Sequence, residues 1–362
     1  MASSGQQVRK RPLPSYFKTD SSDEESNSSS GDNTFGRSVD LPKDVSNWTV
    51  FDLGKLGIFY DRFAKPTPND VLQIVADKTG DYGYLTKDQQ EIVDVILEHL
   101  DFNLIIEKEK LKRKQYLKGE IINELHLTAD KIQNQLEHGS PPSPSQSVIY
   151  RHALDFIKEV TRLVYKMADY NNLGRGTLPE AFYTSLMSSF ARLCHLTPVP
   201  GQLYETTLQI AGVKVTSTPD LVLEKNEDIT SHSVSSIVTI EEVKKASVTA
   251  KTDEREGNEE DKKANIQHWL SDKVLGQHGG ELLLAWNSLE TEFVPGMISV
   301  GTKIYFTLLH INSDHVALLG PGVINMKEVR KQKATVYYSE PKDILVKDDR
   351  NALIQSVMRL NN

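Results

Sequence analysis

Apolar side chains recur with a helical period between residues 48 and 138. Val71, Leu72, Ile74 and Val75 fall on one face of a helix, and Ile92, Val93, Val95, Ile96 and Leu100 on a face of the next. TGDYGY lies between them, and Gly80 and Gly83 predict a turn there. A third stretch, EKEKLKRKQYLKGE, is expected to present a charged, solvated face. GSPPSPSQS, residues 139–147, predicts a linker, because its prolines and small polar residues do not continue a helix. An amphipathic helix is expected over 152–170, ended by NNLGRG. TLPE then places Thr177 as N-cap and Glu180 three residues on, the capping-box spacing, so a new helix is expected through AFYTSLMSSFARL.

Beyond that helix the period shortens toward two. TTLQIAGVKV, TPDLVLE and SIVTIEEVKK are rich in Val, Ile and Thr and predict three strands. KTDEREGNEEDKK, residues 251–263, predicts an exposed loop. NIQHWLSDKVLGQHGGELLLAW predicts a long helix with an interruption at Gly279 and Gly280. Strands are expected at SVGTKIYFTLLHI and HVALLGPGVI, and a last helix at ALIQSVMRL. The expected fold is α/β: a mixed β-sheet flanked by helices over 148–362, preceded by a helical region over 46–138. Residues 1–45 are rich in Ser, Asn, Asp and Glu and predict a disordered tail. Its SSDEESNSSSGD run suits acidophilic kinases or serves only as a solubilising segment.

Composition narrows the function classes. The chain of 362 residues holds one cysteine, Cys194, which excludes an internal disulfide framework and any zinc site built on two thiolates. No window approaches the ~20 apolar residues of a membrane span, and MASSGQQVRKRPLP has no apolar run after its basic residues. The expected address is intracellular, nucleus or cytoplasm, with no membrane partner. The net charge of −8 means that any nucleic-acid contact must come from a local patch.

One arrangement suggests a reaction. Pro219-Asp220 opens the LVLE segment, and Glu242-Val243-Lys244 lies on the next expected strand. Glu242 and Lys244 are two residues apart and so project from one face of a strand. Carboxylates meeting on adjacent strands make a hard oxygen site for Mg²⁺ or Mn²⁺. A lysine beside it can orient a water and stabilise charge on a phosphate.

This trio resembles the signature of the PD-(D/E)XK nuclease superfamily, the restriction-endonuclease-like fold. The resemblance covers roughly 148–362. It implies a metal-dependent nuclease acting on DNA or RNA, with Asp220 and Glu242 as metal ligands and Lys244 in catalysis. It also implies Glu180 as an additional acid on the preceding helix and Gln267 as a glutamine facing the site from the following one. GTKIYFTLLHINSDHVALL is similar to the hairpin that closes several nuclease-fold families.

Other roles stand beside these. Asp220 also suits a turn after proline, Glu242 and Lys244 a charged strand edge, and Glu180 its capping box. His195, His268 and His278 do not fall at metal-ligand spacing. A catalytically inactive nuclease-fold protein that binds partners or nucleic acid is the alternative from another class. Near the N-terminus, Leu13, Tyr16 and Phe17 are spaced like the hydrophobic triple of sliding-clamp-binding peptides, with Lys10 where those peptides carry glutamine.

Overall fold

The computed structural model describes residues 40–107, 110–138, 143–225, 237–245, 265–289, 291–320 and 326–361. Leu13, Tyr16 and Phe17, the serine-rich acidic run and the charged loop at 251–263 lie outside the described residues. The described helices include α1 (Val50–Lys55), α2 (Pro68–Thr79), α3 (Lys87–His99), α4 (Asn123–His138), α5 (Pro144–Asn172), α6 (Glu180–Leu193) and α7 (Ile266–Trp269). They continue with α8 (Asp272–Leu289), α9 (Ser313–Leu319), α10 (Met326–Gln332) and α11 (Lys347–Arg359). The strands are β1 (Ile58–Tyr60), β2 (Leu196–Pro200), β3 (Thr206–Ile210), β4 (Val213–Ser217), β5 (Leu221–Lys225) and β6 (Ile237–Lys244). After them come β7 (Phe293–Val300), β8 (Lys303–His310), β9 (Ala334–Tyr338) and β10 (Lys342–Asp343).

The fold is α/β. Among the described residues, eight strands form one mixed sheet in the order β1-β9-β8-β7-β6-β5-β2, with β10 paired to β8. β5 and β6 are antiparallel, β6 and β7 parallel, and β7 and β8 form an antiparallel hairpin. Apolar side chains leave both faces of the sheet, as buried strands require. Leu221, Leu223, Val243 and Met297 join a core with α2, α3, α5, α6 and α11. Val222, Ile240, Ile298 and Tyr305 join a second core with α1, α8 and the β3–β4 hairpin. No described helix is long and apolar enough to cross a membrane.

Several expectations are corrected. The described residues of the helical region and of the α/β part belong to one compact unit. β1 pairs in parallel with β9, so the first region contributes an edge strand to the sheet. Buried Arg350 on α11 donates to the carbonyls of Leu100 and Phe102 at 2.7 and 2.6 Å, tying the loop after α3 to the last helix. The expected tail boundary at residue 45 falls too late: Leu41 and Val45 are buried in the second core, Val45 against Gly280 of α8. Residues 143–147 of the expected linker begin α5, with Ser143 as N-cap in a capping box with Gln146. Pro144 takes the first turn, where its missing N–H costs nothing.

The β3–β4 hairpin forms its own two-stranded sheet, and β2, the LTPVP segment, takes the place beside β5. HVALL is helix α9 rather than a strand, opened by Asn312, whose side chain accepts from the His315 amide at 2.7 Å. α8 runs unbroken through Gly279 and Gly280, and the break comes earlier, at the extended Leu270. Those glycines are a packing surface. A Cβ at Gly276 would overlap the backbone of Thr49, one at Gly279 the side chain of Leu53, and one at Gly280 Val45 and Trp48.

Candidate active site

Asp220 sits just before β5, and β5 pairs with β6 so that Leu221 lies opposite Glu241. Asp220 therefore falls beside Glu242, and its Oδ2 accepts from the Val243 amide at 2.8 Å. The Gly201 amide donates to the Asp220 carbonyl at 3.1 Å, which holds the turn from the β2 side. A Cβ at Gly201 would overlap the Pro219 carbonyl, so the chains touch there because residue 201 has no side chain.

Lys244 is the hub. Its Nζ stands 3.8 Å from Asp220 Oδ2 and 4.0 Å from Glu180 Oε1, and it directly contacts Glu242. Glu180 reaches this point because α6 begins later than the sequence pattern predicts. Pro179 is the N-cap, and Glu180 is the first helical residue. Thr177 therefore forms no capping box with Glu180, whose carboxylate is left for Lys244. Asp220, Glu242 and Lys244 come together as the sequence expects, and Glu180 joins them. Gln267 does not: it lies on α7, where its amide donates to Asn265 Oδ1 at 3.0 Å, and no hydrogen bond or ion pair joins its side chain to the cluster.

α8 supplies a residue the sequence reading missed. Glu281 is buried, its carboxyl meets that of Glu242, and its Oε1 accepts from Gln277 Nε2 at 3.0 Å. The available signal was an acid inside GGELLLAW, a helix face with otherwise apolar neighbours. His278, one turn before it, is fully buried and hydrogen-bonded through Nε2 to Thr307 Oγ1 at 2.7 Å. Burial, with the charge of Lys244, lowers its pKa to about 3, so it is a neutral core histidine.

The electrostatics are those of crowded acids. Burial, then the nearby Asp220, pushes the Glu242 carboxyl up to about 7. Burial and the contact with Glu242 raise Glu281 well above the ordinary glutamate value. Two adjacent buried carboxylates repel when both are charged, which pushes both carboxyls upward. Burial raises Glu180 despite the attraction of Lys244. Burial also works against the Lys244 ammonium, yet Glu242, Asp220 and Glu180 together hold its pKa above the ordinary lysine value. Glu241, on the opposite face of β6, contacts Ser299 and is raised by burial to about 7.

Donor chemistry bears on a metal. Both Glu242 oxygens and Glu281 Oε2 are buried without a hydrogen bond of ordinary geometry, and the cation facing Glu242 is Lys244. Buried carboxylate oxygens are hard donors of the kind a divalent cation takes. Among the described residues, no group of three or more His, Cys, Asp or Glu side chains is arranged to hold a metal ion by itself. Mg²⁺ is usually held by only one or two carboxylates, with waters and substrate phosphate completing its shell. Asp220 and Glu242 fit that smaller demand.

Two basic residues of α5 are paired along their own helix, Arg162 with Glu159 at 3.5 Å and Lys166 with Asp169 at 3.6 Å. Comparison of the chain with family models, curated proteins and solved structures finds no match.

Proposed function

We propose that the chain is a metal-dependent nuclease that hydrolyses phosphodiester bonds of DNA or RNA, built on a restriction-endonuclease-like core. The observation that carries this reading is the meeting of Asp220, Glu242 and Glu180 around the Lys244 ammonium at the edge of two adjacent strands. The element order supports it: helix α6, antiparallel β2, β5 and β6, helix α8, then β7 parallel to β6.

Asp220 and Glu242 would hold Mg²⁺ or Mn²⁺. When bound, the cation supplies Lewis acidity to the phosphoryl group. Asp220 is held ready by the Val243 amide. Lys244 donates hydrogen bonds to the attacking water or the phosphate, and its charge stabilises the negative charge that builds on the phosphoryl oxygens. Glu180 keeps the ammonium turned toward this position; the water oxygen forms the new P–O bond and gives up a proton to solvent, while the bond to the leaving sugar oxygen breaks and that oxygen takes up a proton from solvent. A cation at the site would compete with protons for the Glu242 oxygens, since metal binding and protonation use the same oxygens.

A second reading has its own observation. Lys244 already neutralises the carboxylates without a metal, and Arg162 and Lys166 are paired with acids on their own helix. These features favour a binding module that keeps the fold without chemistry. Purified protein incubated with labelled single- and double-stranded DNA and RNA separates the two. Cleavage with Mn²⁺ that stops in EDTA supports the nuclease, and no cleavage with any substrate or metal leaves the module.

A further inference from the structure

A cleft of about 740 Å³ opens beside the carboxylate cluster. That volume lies within the ~300–1,000 Å³ of small-molecule sites. Cleft and cluster share a wall. Val300 and Gly301 line the cleft, Lys244 lies opposite Val300 in the parallel β6–β7 pair, and the Gly301 amide donates to the Lys244 carbonyl at 2.9 Å. On the other side, Leu178 lines the cleft two residues before Glu180.

Its walls combine flat rings with a cationic rim. Tyr170 and Trp269 are half-buried there, and Trp269 leans on the buried Tyr305 with ring centroids 5.8 Å apart. Exposed Lys303 and His268 stand at the margin. Exposed Lys245 follows Lys244 at the end of β6. The acid in the cleft, Asp343, is occupied by accepting from the Leu345 amide at 3.0 Å.

We infer that this cleft takes an unpaired nucleobase next to the phosphodiester held by the cluster, so the substrate class is single-stranded nucleic acid or a strand with an extruded base. The inference rests on the nuclease reading and adds the substrate class to it. A ring surface accepts any base, because every base has a π-face. A base inside a duplex cannot enter without leaving its stack. The lysines at the rim meet the phosphates on either side of the lodged base.

The test uses the full-length protein in EDTA, so that binding is read without cleavage. Its probe is a single-stranded oligonucleotide with one 2-aminopurine, compared with the same strand in a duplex. The single strand is expected to bind more tightly than the duplex, with quenched 2-aminopurine fluorescence. Tyr170→Ala and Trp269→Ala should each weaken single-strand binding by about 5- to 150-fold, the range of one lost stacking contact. Trp269→Phe keeps a ring and should restore most of that loss, which separates stacking from misfolding.

Equal binding of single strand and duplex overturns the inference, as does unchanged binding by folded Tyr170→Ala and Trp269→Ala proteins, whether or not the wild type cuts. Ring-dependent single-strand binding by a wild type that cuts nothing with Mg²⁺ or Mn²⁺ supports the cleft assignment and removes the nuclease reading. Absence of all oligonucleotide binding overturns both.

Discussion

The Val243 amide donates to Asp220 Oδ2 at 2.8 Å, so the strand that carries Glu242 and Lys244 also aims the carboxylate beside them. Asp220→Asn keeps an oxygen to accept that bond while removing the charge. We expect it to melt close to the wild type and to lose metal-dependent cleavage by orders of magnitude. Asp220→Ala loses the acceptor as well and should be the less stable of the two, with the same loss of rate. Thermal melts beside cleavage rates check both, and an active Asp220→Asn would remove Asp220 from the metal site.

Glu180 separates two roles cleanly. A capping-box acid would cost about 0.5–2 kcal/mol when truncated. Because Pro179 is the N-cap and Glu180 instead faces Lys244, Glu180→Ala should change stability by less than about 0.5 kcal/mol, the surface range. Its effect should fall on the cleavage rate. A large drop in melting temperature with unchanged rate would return Glu180 to a structural role.

Gly201→Ala tests the turn behind Asp220. The new methyl would overlap the Pro219 carbonyl and must displace the segment that carries Asp220. Overpacking of this kind costs about 1–3 kcal/mol. The variant should lose cleavage further than its stability loss explains, because Asp220 moves with its backbone. Gly276→Ala, which would meet Thr49 on the far side of α8, should cost comparable stability and leave cleavage by the folded fraction intact.

Buried acids set a pH dependence for the metal-free protein. Glu241 and Glu242 are each raised to about 7, so the folded chain holds protons that the unfolded chain releases. That stability is complete below the ordinary glutamate pKa of about 4.3 and is lost as pH rises through about 7. Buried histidines work the other way. His278, lowered to about 3, destabilises the fold only as pH falls below the ordinary histidine value of about 6.5. In EDTA the melting temperature should therefore fall as pH rises from about 6.5 through 7 and level off above that. Glu241→Gln should flatten part of that fall, and Mn²⁺ should flatten more by replacing the proton on Glu242. A melting temperature that rises over the same interval would contradict the buried-acid account.

The fold class and the Asp220–Glu242–Lys244 convergence were legible because they rest on strand periodicity and on the two-residue spacing of side chains along β6. Three features were hidden for physical reasons. Pro144 and its neighbours read as a linker, yet proline is at home in the first turn of a helix. Gly279 and Gly280 read as a break, yet they are the places where Leu53, Val45 and Trp48 press on α8. Glu281 did not stand out, because helix periodicity does not say that both flanks of α8 are covered, one by the sheet and one by residues 41–56. The edge strand β1 was invisible for a related reason: its partner β9 lies more than 270 residues away in sequence, and three residues carry little periodic signal.

The most direct measurement is the cleavage rate of a labelled single strand with Mn²⁺ by wild type and Lys244→Ala, with both proteins' melting curves recorded. Lys244→Ala removes the ammonium that contacts Glu242 and stands near Asp220 and Glu180. Cleavage by the wild type that EDTA abolishes is expected, with a rate lower by orders of magnitude in a Lys244→Ala protein that still melts cooperatively. Equal rates from the two folded proteins, or no cleavage by the wild type with any metal or substrate, would contradict it.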